Sequence, residues 1–157
     1  GLKNLLQNLE NLDCNILFTA PNADAGSDLI LEIINKFISN NKKKCFYIPS
    51  LGQELYLNGL LLFDCIIGNS SSGIIEAPLL NKKVLNIGNR QKNRYRFGKV
   101  TDVHNDKESI SKALKEIFEI NIYERFSLKE FKEKFKDKSP SKKIINFLKD
   151  YHSQWIL

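Results

Sequence analysis

Residues 66–78 read IIGNSSSGIIEAP. An aliphatic pair, the end of DCIIG, runs into Gly68 and Asn69; three serines follow, and SGIIEAPLL then has the apolar content of a short helix. The stretch is a buried strand turning into a helix. At such a junction the first helical N–H groups point outward with the positive end of the helix dipole behind them, which suits an anion. Serine hydroxyls add donors, and glycine leaves room for phosphate oxygens close to the backbone. The loop matches neither the Walker sequence nor the GxGxxG fingerprint, which argues against the ordinary ATP and NAD assignments.

Outward from this junction, strand and helix alternate. The leucines of LKNLLQNLENL (2–12) recur at helical spacing, and CNILFTA (14–20) reads as a short buried strand. Leu29, Ile30, Ile33, Ile34, Phe37 and Ile38 form a helical stripe, with Asp24 or Ser27 available to cap its start and Asn40-Asn41 to end it. KCFYIP (44–49) is a strand, LGQELYLNGLLLF (51–63) a helix, and KVLNIG (83–88) a strand after the serine loop. A short strand at VTDV (100–103) precedes helices between about 106 and 155, one marked by Ile110, Leu114, Ile117 and Phe118 and the last opened by Ser139-Pro140. Strict alternation with short connections predicts an α/β fold, a parallel sheet covered by helices on both faces.

Open parallel sheets bind ligands beyond the carboxyl ends of their strands. Four loops follow strands there: PNADAGS, PSLGQ, GNSSSG and NIGNRQKNR. The last supplies Arg90, Lys92, Arg94 and Arg96, and a guanidinium facing a diphosphate is a strong, geometrically specific partner. Glu76, three residues after Gly73, has two readings: a capping-box glutamate reaching back to a free N–H, or a carboxylate accepting hydrogen bonds from ribose hydroxyls. The two loops together read as a nucleotide or sugar-nucleotide site. A serine nucleophile at Ser70, Ser71 or Ser72 would need a general base, and the two histidines, His104 and His152, do not follow any of the four strands.

Length and composition set the limits. With 157 residues, 42% hydrophobic and 27% charged, the chain is long enough for one domain with a sizeable core. No apolar run approaches the roughly 20 residues of a membrane span, and GLKNLLQNLENLD lacks the features of a signal peptide, so a cytoplasmic protein is expected. Cys14, Cys45 and Cys65 are odd in number, far apart and set at the start of apolar runs, which predicts small buried hydrophobes rather than a disulfide or metal site. Residues 121–157 carry +4 of the net +6, much of it in KEFKEKFKDK. With Phe126, Phe131 and Phe135 at helical intervals, that segment reads as the wet face of an amphipathic helix rather than a nucleic-acid groove.

In their order and approximate spacing, PNADAGS (21–27), PSLGQELYL (49–57), GNSSSGIIEAP (68–78) and NIGNRQKNR (86–94) closely resemble the hydrolysing UDP-N-acetylglucosamine 2-epimerases. That family makes N-acetylmannosamine and UDP for sialic acid synthesis, and near relatives act on UDP-diacetylbacillosamine. The resemblance covers about residues 13–150. It implies that Ser70, Ser71, Ser72 and Gly73 cradle the UDP diphosphate and that Glu76 binds the ribose. It also implies that the backbone from Ile48 to Leu51 passes the uracil, that Asn22 and Asp24 face the cleft, and that Arg90 and Gln91 bind an anion or line the cleft.

These enzymes resemble two-domain GT-B proteins. The resemblance therefore implies that residues 1–157 form one Rossmann-like UDP-binding domain, the C-terminal half of such a fold, lacking its first strand. The catalytic carboxylates and basic residues lie mostly in the other half, so this half alone is expected to bind UDP without turnover. In the family's mechanism a base removes the C2 proton as UDP leaves by anti elimination, and water then adds to the glycal. Ser71, Ser72, Gly73 and Arg90 would hold the charge on the departing UDP, with neither metal nor cofactor required. Expected partners are a UDP-sugar, the N-terminal Rossmann-like half and a second copy of the chain, with no membrane and no nucleic acid. The competing readings are a GT-B glycosyltransferase domain and a basic nucleic-acid-binding module.

Overall fold

The structure, a computed structural model, describes residues 1–119 apart from residue 97. Helix α1 (Leu2–Leu9) is followed by β1 (Ile16–Thr19), α2 (Ser27–Asn40), β2 (Cys45–Ile48), α3 (Gly52–Leu62), β3 (Cys65–Gly68), α4 (Ser71–Leu79), β4 (Lys83–Ile87), β5 (Thr101–Val103) and α5 (Lys107–Glu119). The alternation expected from the sequence is present throughout this span. The final helix opened by Ser139-Pro140, the KEFKEKFKDK segment and His152 lie outside the described residues.

All strand pairings are parallel. β1 runs beside β2, Ile16 opposite Cys45 and Thr19 opposite Ile48. β4 lies between β3 and β5, with Cys65 opposite Lys83 and Ile87 opposite Val103. These are the neighbour relations of the doubly wound order 3-2-1-4-5-6 with the first strand left out. A Rossmann-like sheet short of its first strand has this pairing: no ladder joins β1 to β3, and each keeps one partner.

The core gathers where α1 and α5 cover β4 and β5. Leu6 and Leu9 pack with Leu85, Val103, Ile110, Ala113, Leu114 and Ile117, and Ile16, Phe18, Cys65 and Ile67 join from β1 and β3. Phe18 and Phe37 meet edge to face, their centroids 6.0 Å apart, which holds α2 against β1. The leucine repeat of α1 thus becomes a buried stripe whose partners come from the far end of the described chain.

Hydrogen bonds fix α1 at both ends. Asn4 Nδ2 donates to the Asn105 carbonyl at 2.8 Å and Asn8 Nδ2 to that of Lys107 at 3.1 Å. At the other end, Lys44 Nζ donates to the carbonyls of Leu9, Glu10 and Leu12 at 3.2, 2.7 and 2.9 Å, and its ammonium completes the carbonyls that a helix C-terminus leaves open. Asn105 follows β5 and Lys44 precedes β2, so α1 runs from the carboxyl edge of the strands to their amino edge.

Helix α2 departs from expectation at its start. Neither Asp24 nor Ser27 caps it: the N-cap is Gly26 at φ 87, where no side-chain cap is made. Glycine reaches that left-handed conformation without the strain a Cβ would bring, and the Asp24 carboxylate is turned toward Arg90 instead. The helix ends as expected at Asn41, whose Nδ2 donates to the Phe37 carbonyl. Of its stripe Ile34 is buried, while Leu29 is 62% and Ile30 38% exposed.

The cysteines are free; Cys45 is buried and the other two half-buried. Burial pushes all three thiols up, that of Cys65 to about 12, which makes them poor nucleophiles and fits the reading of small hydrophobes. Among the described residues no helix is long and apolar enough to cross a membrane.

Candidate functional site

The loops after β1, β3 and β4 are joined at the carboxyl edge. Arg90, beyond β4, forms an ion pair with Asp24, beyond β1, at 3.0 Å. Gln91 Nε2 donates to the Asn69 carbonyl at 2.6 Å, fastening the β4 loop to the serine loop. Gln91 is itself only 2% exposed and braces the two loops from beneath the surface, its Oε1 buried with no hydrogen-bond partner. Arg90 remains half-exposed above it.

The serine loop turns at Gly68, φ 153, where a side chain would be strained. Ser70 is the N-cap of α4, and its hydroxyl accepts from the Ser72 N–H at 3.4 Å. The remaining N–H groups of the first turn have no acceptor within the helix, which is the arrangement an anion fills. The three serines have separate surroundings: Ser70 caps the backbone, Ser71 is half-buried in the first turn, and the Ser72 hydroxyl is hydrogen-bonded to the Tyr56 hydroxyl of α3.

At Gly73 the space left by the absent side chain lies on the sheet side. A Cβ there would point at Val84 Cγ1, 3.6 Å away, and Ile66 Cγ2, 3.8 Å away. Its missing side chain therefore faces the sheet, at ordinary contact distance from β3 and β4. Its N–H still belongs to the open first turn.

The position of the cap removes the capping-box reading of Glu76. With Ser70 as N-cap the capping-box position is Gly73, so Glu76 lies a turn too far along to reach back. Its Oε2 is instead buried with no hydrogen-bond partner. A buried acceptor without a donor costs about 1–3 kcal/mol, more when charged, and a ligand hydroxyl would relieve that cost.

The phenol of Tyr56 lies near Glu76 and bonds to Ser72. Burial, first, and the Glu76 charge raise its pKa above the usual tyrosine value, while the Ser72 hydrogen bond opposes them. Tyr56 therefore stays protonated at neutral pH. The segment expected to pass the uracil is more open: Ile48, at the end of β2, is 38% exposed and Leu51 is half-buried ahead of α3; Asn22, expected to face the cleft, is exposed.

A separate cavity of about 180 Å³ opens at the ends of β4 and β5, lined by Gly88, Asn89, Lys92, Arg96, Asp102, Val103 and His104. No serine-loop residue lines it, and it is smaller than the roughly 300–1,000 Å³ of a pocket for a drug-sized ligand. Arg96 is committed to Asp102, which also accepts from Asn86 Nδ2 at 2.7 Å. His104 directly follows β5, the short strand expected at VTDV, whose end was not among the four loops considered from sequence. It stands beside this cavity, while Ser72 Oγ is engaged by Tyr56, so a serine–histidine pair gains no support.

Tyr56 and the bracing role of Gln91 were not legible in the sequence. Tyr56 lies within PSLGQELYL, but helical spacing cannot show that its hydroxyl meets a serine sixteen residues on.

Parallel strands, flanking helices and a serine-capped helix at the carboxyl edge define an α/β protein of Rossmann-like type. A sequence profile of the UDP-N-acetylglucosamine 2-epimerases matches residues 1–149, and the chain belongs to that family. It is 38% identical over 102 residues to the "GDP/UDP-N,N'-diacetylbacillosamine 2-epimerase (hydrolyzing)" of Campylobacter jejuni, covering 64% of this chain and 27% of that protein. It is 40% identical over 101 residues to the "Polysialic acid biosynthesis protein P7" of Escherichia coli, covering 64% and 25%. With the "UDP-N-acetylglucosamine 2-epimerase" of Neisseria meningitidis it shares 38% over 95 residues, covering 60% and 24%. The match to each relative spans about a quarter of that relative's length.

Proposed function

We propose that this chain is the UDP-binding half of a hydrolysing UDP-sugar 2-epimerase, acting on UDP-N-acetylglucosamine in sialic acid synthesis. The observation that carries the reading is the buried, unpartnered Glu76 Oε2 one turn inside a helix whose first N–H groups are open. A nucleoside diphosphate supplies what both features lack: phosphate oxygens for the N–H groups and ribose hydroxyls for the carboxylate. Arg90, next in sequence to the Gln91 that is bonded to the serine loop, adds a cation for the diphosphate, and the segment from Ile48 to Leu51 offers backbone and apolar surface to the base.

In the whole enzyme this half would stabilise the leaving group. As the bond from C1 of the sugar to the diphosphate oxygen breaks, negative charge grows on UDP, where the Ser71, Ser72 and Gly73 donors and Arg90 can hold it. The base that takes the C2 proton and the water that adds at C1 belong to the other half. The names of the relatives also support a second substrate, UDP-diacetylbacillosamine, read by the same diphosphate machinery.

The test is an NMR titration of the chain with UDP, with AMP and TMP as controls. Saturable shifts selective for UDP, centred on Ser70 to Glu76 and Ile48 to Leu51, are expected. Equal responses to all three nucleotides, or none from a folded sample, would overturn the reading.

A further inference from the structure

Three hydroxyls follow one another at the start of α4, yet only one is engaged by another side chain. Tyr56 projects from α3, the helix that directly follows the PSL loop, and its hydroxyl meets Ser72 Oγ. Either oxygen could donate, and the chemistry of the two groups decides which one does. A phenol is a far stronger acid than an alkanol and hence the better donor, and Tyr56 is held protonated at neutral pH by burial and by Glu76. Tyr56 O–H donates, Ser72 Oγ accepts, and the hydroxyl hydrogen of Ser72 is left to turn outward toward the open N-terminus of the helix.

From this geometry we infer that Tyr56 is a positioning residue of the diphosphate site, orienting the Ser72 hydroxyl as a donor to a phosphate oxygen. The inference rests on the proposed UDP reading and deepens it. Without Tyr56, the Ser72 hydroxyl could rotate and give its hydrogen to a neighbouring acceptor, the nearby Glu76 carboxylate among them, and a diphosphate would have to recapture it. With Tyr56 in place the donor is set before the ligand arrives, and preorganisation of that kind is worth most when charge appears on the acceptor.

Tyr56 also links the two ends of the site. It sits one helical turn beyond Leu51 and Gly52, so the contact ties the base-side loop to the phosphate-side helix across sixteen residues of chain. Ser70 makes no such tie: its oxygen accepts from the Ser72 N–H of its own helix.

Calorimetric titration of the full chain with UDP and with uridine, for wild type, Tyr56→Phe, Ser72→Ala and the double variant, tests the inference. Tyr56→Phe keeps the ring and removes only the hydroxyl. A loss of about tenfold in UDP affinity is expected, with uridine unchanged, a similar loss in Ser72→Ala, and no further loss in the double variant. A second readout follows the phenolate absorbance as wild type minus Tyr56→Phe: bound UDP should drive the Tyr56 ionisation to higher pH, because the diphosphate brings negative charge beside the phenol. UDP binding equal in wild type and Tyr56→Phe, parallel losses of UDP and uridine, or a Tyr56 titration indifferent to UDP would each overturn the inference and leave the UDP site standing. A folded wild type that ignores UDP would overturn the reading and the inference together.

Discussion

The two parallel sheets are built to different standards. Around β3, β4 and β5, helices α1, α4 and α5 bury Leu85, Ile110 and Leu114 almost completely. Around β1 and β2 the buried residues are few, and four of the eight large exposed hydrophobics among the described residues lie on α2 and β2, namely Leu29, Ile30, Phe46 and Ile48, with three more, Leu55, Leu57 and Leu62, on α3. The division follows the proposed ligand. The elements proposed to hold phosphate sit on the packed half, where fixed N–H groups and hydroxyls need a rigid frame, and those proposed for the base sit on the looser half, where apolar contact tolerates adjustment. A site of this type needs positional accuracy chiefly where charge is handled.

The largest effect that can test this contrast is on stability. Ile110→Ala should lower the unfolding free energy by about 2–5 kcal/mol in urea titration, whereas Phe46→Ala, at a residue 52% exposed, should change it by less than about 1 kcal/mol. Equal losses would erase the distinction between the halves. Next, Arg90→Ala should weaken UDP binding by about 10- to 100-fold, the loss expected for a charge-assisted contact, with the melting temperature nearly unchanged.

The two glycines of the serine loop provide a finer comparison. Gly68→Ala places a side chain at φ 153 and should cost about 1–3 kcal/mol in thermal or urea unfolding. Gly73→Ala meets only ordinary contacts with Val84 and Ile66, and should leave stability and UDP affinity within about twofold of wild type. Loss of UDP binding in Gly73→Ala would restore the original expectation that phosphate approaches that backbone.

A smaller effect is expected with pH. The Arg96 guanidinium, first, and the Asn86 amide hold the Asp102 carboxyl below its usual range. Because the folded value is the lower one, the stabilisation is complete above the unfolded carboxylate value and disappears as pH falls through the folded one. Asp102 is about half exposed, so solvent screening limits the contribution to under about 1 kcal/mol, and Asp102→Asn should flatten that part of the acid limb in melts between pH 2 and about 5. Smallest of all, Asp24→Asn removes an ion pair exposed on both sides; stability should move by a few tenths of a kcal/mol, and UDP affinity should rise slightly as Arg90 loses its competitor.

Much of the architecture could be read from the chain. Short apolar runs separated by helical stripes fixed the order of elements, because burial on both faces of a parallel sheet leaves a simple hydrophobic signature. The serine loop was legible for the same reason, standing at a change of period. What stayed hidden depends on contacts between segments distant in sequence. No local pattern shows that Gly26 rather than Asp24 enters α2, that Gln91 turns inward to Asn69, or that Tyr56 reaches Ser72. Glu76 lay between: its two readings could not be separated until Ser70 was located as the cap.

The anchoring of α1 has a consequence in time. Its hydrogen-bond acceptors at Asn105 and Lys107 lie 101 and 99 residues beyond their donors. At roughly 5–20 residues per second, a ribosome needs about 5–20 s to reach them after making the helix. Throughout that interval Leu6 and Leu9 have no α5 to cover them, and an isolated helix of eight residues is too short to persist in water. Helix α1 is therefore made long before it can become permanent, and the nascent chain carries its leucine stripe without the cover of α5 until that helix has been made.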